Sequence, residues 1–296
     1  MLPGAFGVMF HHFHGSGHAP GQGTVGAAEL ERAVDSAGAA RLLPAAEWVE
    51  RVRRDDLPAD AVCLTFDDNL RSQLDVAVPV LERLGLTAFF FVQTGPLRGE
   101  PDRTEVYRHF RESRFATLDD FHAAFEEALD PDESGAVVPA HHLAEFAFYT
   151  GADRRFRFLR DDVLGPERYH AVMEELLTAS GTSVEALAQG LWMDAAALAG
   201  LHSAGHVIGL HSHSHPTRLA ELPEAEQRRE YERNAGVIEE VTGERPAAAA
   251  HPVNSYGPET LAILRELGVE VAFRSNTAVG SPSALELQRE DIANLA

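Results

Sequence analysis

Residues 195–216 read AAALAGLHSAGHVIGLHSHSHP. A helical pattern over 195–203 stops at Ala204-Gly205, where glycine suits a helix end. A short apolar run at 207–210 follows and reads as a buried strand. That strand runs into His211-Ser212-His213-Ser214-His215-Pro216. The same order recurs on both sides. A helical stretch at 75–84 precedes Gly85 and the run LTAFFFV at 86–92. Another at 223–242 precedes Gly243 and an alanine run at 247–250, whose composition suits strand or helix, and then His251-Pro252. A third at 259–267 precedes Gly268 and VEVAF at 269–273. Nearer the N-terminus, an apolar run at 7–10 leads into His11-His12-Phe13-His14, and one at 61–66 leads into Asp67-Asp68-Asn69. Helix, glycine and strand in repetition predict βα units and a largely parallel sheet, hence an α/β fold. Reactive groups in such folds gather at the C-terminal ends of the strands, where the polar clusters fall here.

Composition narrows the function. The 296 residues carry a net charge of −21, which opposes binding to nucleic acid. All 25 basic residues are arginine, so chemistry that needs a lysine amine is excluded. A lone cysteine, Cys63, permits no internal disulfide, and its apolar setting predicts a buried thiol. The 15 histidines stand out, histidine being the commonest metal ligand and a frequent acid–base catalyst. No stretch approaches the roughly 20 apolar residues of a membrane span. The start, MLPGAFGVMFHHFHG, lacks the basic head and apolar core of a signal peptide, so a cytoplasmic location is expected.

Residues 95–190 interrupt the rhythm and predict a mostly helical insertion between strands, leaving 1–94 and 191–296 as the barrel. Helices are expected over 103–115 and 117–129, the second opened by Thr117 and Asp120 in the manner of a capping box. Arg154, Arg155, Arg157 and Arg160 are read as a solvated face rather than an anion site. His109, His122, His141, His142 and His170 are read as helix-surface residues, and His202 and His206 as flanking a helix end. Trp192 is assigned to the core.

The strongest chemical signal is Asp67-Asp68 together with His211-x-x-x-His215. Two imidazoles and one carboxylate supply three ligands for a zinc-like ion, with a fourth position open. A second, adjacent carboxylate is available to take a proton from water. Alone, the acidic run also fits a turn and the histidine run a polar loop; both at strand ends favour a metal site.

These stretches are familiar. LTFDDN at 64–69 resembles the first motif of the polysaccharide deacetylase (NodB-like) family, and HSHSHP at 211–216 resembles its second. GLTAFFFV after the first motif and LHSAGHVIGL before the second strengthen the likeness, which covers about 1–94 and 191–280. The resemblance implies a distorted (β/α) barrel and metal-dependent hydrolysis of an N- or O-acyl group, usually on an amino sugar. By position it makes Asp67 the general base and Asp68, His211 and His215 the ligands of one divalent ion, Zn2+ first, with Co2+, Ni2+ or Mn2+ as alternatives.

The sequence departs from the family pattern in three places. Asn69 replaces a glycine, though asparagine also tolerates left-handed backbone. The third motif, usually arginine-x-proline and an aromatic, corresponds to Ala250-His251-Pro252-Val253. The arginine that would orient the base is missing there, and Tyr256 is the candidate aromatic. His251, Pro252 and Tyr256 are therefore the expected substrate contacts. No histidine follows His251, so the late apolar-x-histidine that supplies the acid is absent. Met9-Phe10-His11 has the same form on the first strand. A barrel brings its first and last strands together, and some members of the resembled family are permuted in this way. His11 is thus the expected general acid, with His12, His14 and His251 in reserve. Arg289 and Asp291 are left between a structural ion pair and a site contact.

The expected substrate is a carbohydrate or a small sugar-linked molecule. Hydrolysis of cyclic imides, formyl groups or other small amides is the first alternative. A non-catalytic metal-containing carbohydrate-binding module is the second, favoured by the missing arginine and late histidine.

Overall fold

The computed structural model describes residues 4–144, 149–278 and 281–295. Seven strands carry the first unit: β1 (Phe6–Phe10), β2 (Val62–Asp67), β3 (Phe89–Val92), β4 (Val207–Leu210), β5 (Ala248–Ala250), β6 (Val271–Phe273) and β7 (Arg289–Asp291). All neighbours pair parallel, in the order β6-β5-β4-β3-β2-β1-β7. The ring is nearly closed by the approach to β7. Phe273 bridges Leu287, with Leu287 N–H donating to Ala272 O at 2.8 Å and Arg274 N–H to Leu287 O at 3.0 Å.

The strands are continuous apolar runs because both faces are covered. Alternation divides each of them. Cys63, Phe89, Phe91, Ala248, Ala250, Val271, Phe273 and Leu287 face the lumen, and Trp48 of helix Ala45–Arg53 joins them. Val8, Leu64, Phe66, Phe90, Val92, Ile208 and Ala249 pack outward against helix residues such as Leu30, Leu81, Leu198, Ile238 and Leu264. Helices Val78–Leu84 and Glu224–Thr242 end on Gly85 and Gly243, both left-handed, so the helix–glycine–strand reading holds at these points.

Three local expectations are refined. The alanine run forms a strand, because Ala248–Ala250 has pairing partners on both sides. LTAFFFV is strand only over Phe89–Val92. The seventh strand, Arg-Glu-Asp, escapes any search for apolar runs; it is recruited by pairing with Gly7–Met9.

The chain divides into two compact units, residues 1–102 with 190–296, and residues 103–189. The second is helical, with Arg103–Arg114, Leu118–Glu127, Gly151–Phe158 and Gly165–Ala179 as its longer helices. Thr117 caps its helix, accepting from Asp120 N–H while Asp120 accepts from Thr117 N–H. Its core is aromatic: Phe121 and Phe125 meet Phe156 edge-on at 5.3 and 5.0 Å, and Tyr107 meets Tyr169 at 5.6 Å. His122 belongs to that core and not to the surface, since its ring stacks on Phe156 at 5.5 Å. Arg155 grips Glu126 through two bonds of 2.8 Å, Arg160 pairs with Asp161, and Arg157 lies over the Tyr149 ring. In the barrel unit, His206 is likewise buried, and its Nδ1 accepts the Ala88 N–H at 3.1 Å in place of a helix-end role.

Candidate active site

The lumen-facing positions of β1 are Gly7 and Met9, and the next in line is His11; those of β2 are Cys63, Thr65 and Asp67. Their C-terminal ends therefore deliver His11 and Asp67 to one mouth. His11 Nε2 stands 3.8 Å from Asp67 Oδ2. Gln73 ties the two ends together, donating to both His11 O and Asp67 O. It opens a π-helical turn, Gln73–Ala77, a distortion often found beside functional sites.

Past Asp67 the chain bends sharply. Asp68 and Asn69 both have positive φ, 77° and 61°. This is costly for a non-glycine residue and characteristic of sites where geometry matters. Asn69 supports the bend by exchanging backbone and side-chain bonds with Met193. The β4 end repeats the device, with Ser212 at φ 60° and His215 at φ 56°. Asn234 accepts the His211 N–H at 3.0 Å, Glu230 accepts the N–H groups of His213 and Ser214, and Ser212 Oγ accepts the His215 N–H. His213, the middle histidine, turns outward to Thr94 and Glu100 and stays in the scaffold.

These two bends bring three ligand atoms together, all within 4.8 Å of one another. Asp68 Oδ1 lies 3.4 Å from His211 Nε2 and 3.4 Å from His215 Nε2. The far nitrogens are engaged: His211 Nδ1–H donates to Ala250 O at 2.9 Å, and His215 Nδ1 faces Asp102 Oδ2 at 3.4 Å. Both Nε2 atoms are thereby turned to the centre, the usual arrangement behind a metal-bound imidazole. Asp68 Oδ1 is buried without a hydrogen-bond partner, and two nitrogens with one carboxylate form a borderline donor set. The residues fit a divalent ion of the zinc type. Burial opposes the charges here, but His215 and His211 hold the Asp68 carboxyl well below its ordinary range. Asp68 and Asp102 likewise outweigh burial and raise His215 to about 9.

The arginine absent from 250 is supplied by β7. Arg289 donates to Asp67 through both guanidinium arms, Nη1 to Oδ1 at 2.6 Å and Nη2 to Oδ2 at 2.8 Å. This corrects the expectation that the base lacks its arginine, and it decides the open position of Arg289. The fork is fully buried; Nε donates to Arg274 O and Nη1 also to Thr65 Oγ1. Gly7 makes the path, because a Cβ there would stand 3.1 Å from Arg289 Cγ and 3.0 Å from Thr65 Cγ2. Burial raises the Asp67 pKa, but Arg289 above all, with His211, brings it below the usual carboxylate value.

The remaining expected residues are placed unevenly. His251 is buried; its Nε2–H donates to Leu285 O at 2.8 Å and its ring stacks on Tyr256 at 4.1 Å. Burial holds it near pKa 4, so at neutral pH the ring is uncharged, with its one N–H given to Leu285, and it drops out as a reserve acid. Pro252 is buried and Tyr256 half-buried, its hydroxyl donating to Glu286. His14 is engaged with Thr24, and the His12 ring lies parallel to that of His11 at 6.2 Å.

A family model described as polysaccharide deacetylase matches residues 165–272, which include His211 and His215. No curated protein matches the chain in sequence. Solved structures do. The deacetylase PplD of Streptococcus pyogenes, in complex with acetate, is 15% identical with a TM-score of 0.58, over 100% of this chain and 97% of that one. IcaB from Ammonifex degensii is 15% identical with a TM-score of 0.58, over 97% and 91%. The BpsB deacetylase domain from Bordetella bronchiseptica is 15% identical with a TM-score of 0.53, over 97% and 95%. The family model thus covers HSHSHP and not LTFDDN, and the barrel is similar in fold to these solved deacetylases.

Proposed function

We propose that this chain is a metal-dependent hydrolase that removes an acetyl group from a carbohydrate or sugar-linked molecule. One observation carries the reading. Three converging ligand atoms, an aspartate locked by a buried arginine, and an imidazole stand at one strand-end mouth.

Asp68, His211 and His215 would hold the ion, which when bound would supply polarisation of the acyl carbonyl and a more acidic water. Asp67 accepts the proton of the attacking water, and Arg289 holds it ionised and aimed until it does. His11 stands across from it and gives the proton that the leaving nitrogen needs. Desolvation lowers the His11 pKa against the pull of Asp68 and Asp67. Its side chain keeps 33% exposure, leaving water a route to reprotonate it. Tyr256, the half-buried aromatic beside His251, is the proposed sugar-facing contact.

The reading as a non-catalytic module drew on a missing arginine and a missing late histidine. Arg289 on Asp67 and His11 at 3.8 Å speak against it. Hydrolysis of a cyclic imide or formyl group remains the competing chemistry. A panel of N-acetylglucosamine oligomers, formylated amino sugars and cyclic imides, presented to the zinc-loaded protein, separates the two. Acetate release from the oligomers is expected. Turnover of an imide or formyl compound with no acetate release from any sugar would overturn the reading.

A further inference from the structure

Gln93 directly follows β3, the strand lying between the aspartate-bearing β2 and the histidine-bearing β4. Register sets its level: Val92 pairs with Leu210, so the next step places Gln93 beside His211. Alternation sets its face. Phe89 and Phe91 belong to the lumen cluster, Phe90 and Val92 to the outer one, so Gln93 takes the lumen side. Thr94 keeps the alternation, for its Oγ1 meets Asn234 on the outer helix Glu224–Thr242.

In that position Gln93 is 1% exposed, and neither its Oε1 nor its Nε2 has a hydrogen-bond partner. Leaving both ends of a buried amide unbonded is costly, and a methionine of similar length would avoid the cost. Asp68 Oδ1, at the end of the neighbouring strand, is also without a hydrogen-bond partner, and the ion it is built to hold explains that. The Gln93 amide calls for a ligand of its own.

The chemistry of that ligand follows from the group. An uncharged amide presents one acceptor and one donor side by side, which matches a neutral hydroxyl or amide. The amide carries no charge with which to hold an anion, and the Arg289 guanidinium is committed to Asp67. We propose that Gln93 is a specificity-determining contact that reads a neutral hydroxyl next to the acyl group, selecting neutral amino sugars over those bearing an acidic substituent there. The inference rests on the deacetylase reading above.

The test uses Gln93→Met in the zinc-loaded full chain with tetra-N-acetylchitotetraose as the probe. Binding is measured by calorimetry, turnover by acetate release, and metal content and melting temperature on the same samples. The variant is expected to bind the probe and turn it over (kcat/KM) about 10- to 100-fold more weakly, by loss of hydrogen bonds to substrate. It should keep its metal and melt at the same or a higher temperature. Unchanged binding and kcat/KM overturn the inference. Lost metal also overturns it, making Gln93 part of the ion site, and so does a lower melting temperature with unchanged binding. A wild type that binds the probe without releasing acetate defeats the deacetylase reading, while weaker binding by the variant still upholds Gln93 as a sugar contact. A wild type that neither binds nor hydrolyses the probe overturns both.

Discussion

The ends of β2 and β4 and the ends of β1 and β7 contribute to one mouth in different ways. The first pair draws its side chains from two short unbroken stretches, 67–69 and 211–215, and holds them with left-handed backbone at Asp68, Asn69, Ser212 and His215. The second pair uses regular strand. Arg289 reaches Asp67 from 222 positions along the chain, through space left by Gly7, and only because β7 closes against β1. The proposed metal ligands are therefore encoded in local turns, and the arginine that holds Asp67 is placed by the closure of the barrel. Damage to either half should leave a distinguishable signature.

The largest effect is expected at the local half. Asp68→Ala removes the only carboxylate of the three-residue set and should lose both bound metal and nearly all turnover, checked by elemental analysis beside acetate release. Asp67→Asn should retain its metal and lose turnover by about 10²- to 10⁴-fold, since the amide keeps the shape but accepts no proton. Retention of near wild-type turnover would remove Asp67 from the role of base. Arg289→Met strands a buried carboxylate and should lower stability by about 3–5 kcal/mol in urea unfolding. Adding Asp67→Asn to it should restore much of that stability and none of the activity. Asp102→Ala frees the outer nitrogen of His215 and should weaken zinc binding by about 10- to 100-fold in a chelator competition.

The smallest effect lies at the β5 end, outside both halves. His251 is held near pKa 4 when folded, against an ordinary value of 6.5. The unfolded chain thus binds the proton first as pH falls, so stability is lost between about pH 6.5 and 4. Loss of about 1 kcal/mol by about pH 5.5 is expected from this residue. Thermal melts of His251→Gln should show a correspondingly shallower pH slope; an identical slope would place the acid sensitivity elsewhere.

How much of this was legible in the sequence follows the same division. Asp68, His211 and His215 were readable because their spacing is local and each follows an apolar run. His11 was readable only by supposing that a barrel brings the first strand beside the last. Arg289 was seen and left undecided, because Arg-Glu-Asp does not look like a strand and its partner is distant in sequence. His251 looks like a reserve acid in the sequence because position after a strand does not reveal burial or stacking on Tyr256. His122 was placed on the surface because helical spacing alone does not show that Phe156 lies across from it. Gln93 went unread altogether, since a glutamine after an apolar strand is unremarkable until both its amide atoms prove buried and unpaired.

One ion held by Asp68, His211 and His215 should be required for the proposed acyl hydrolysis at this mouth. The most direct test measures metal content and acetate release from tetra-N-acetylchitotetraose in one preparation, before chelation, after it, and after zinc is returned. One ion per chain is expected, with acetate release lost when the ion is removed and both recovered together. Undiminished acetate release from metal-free protein would contradict it.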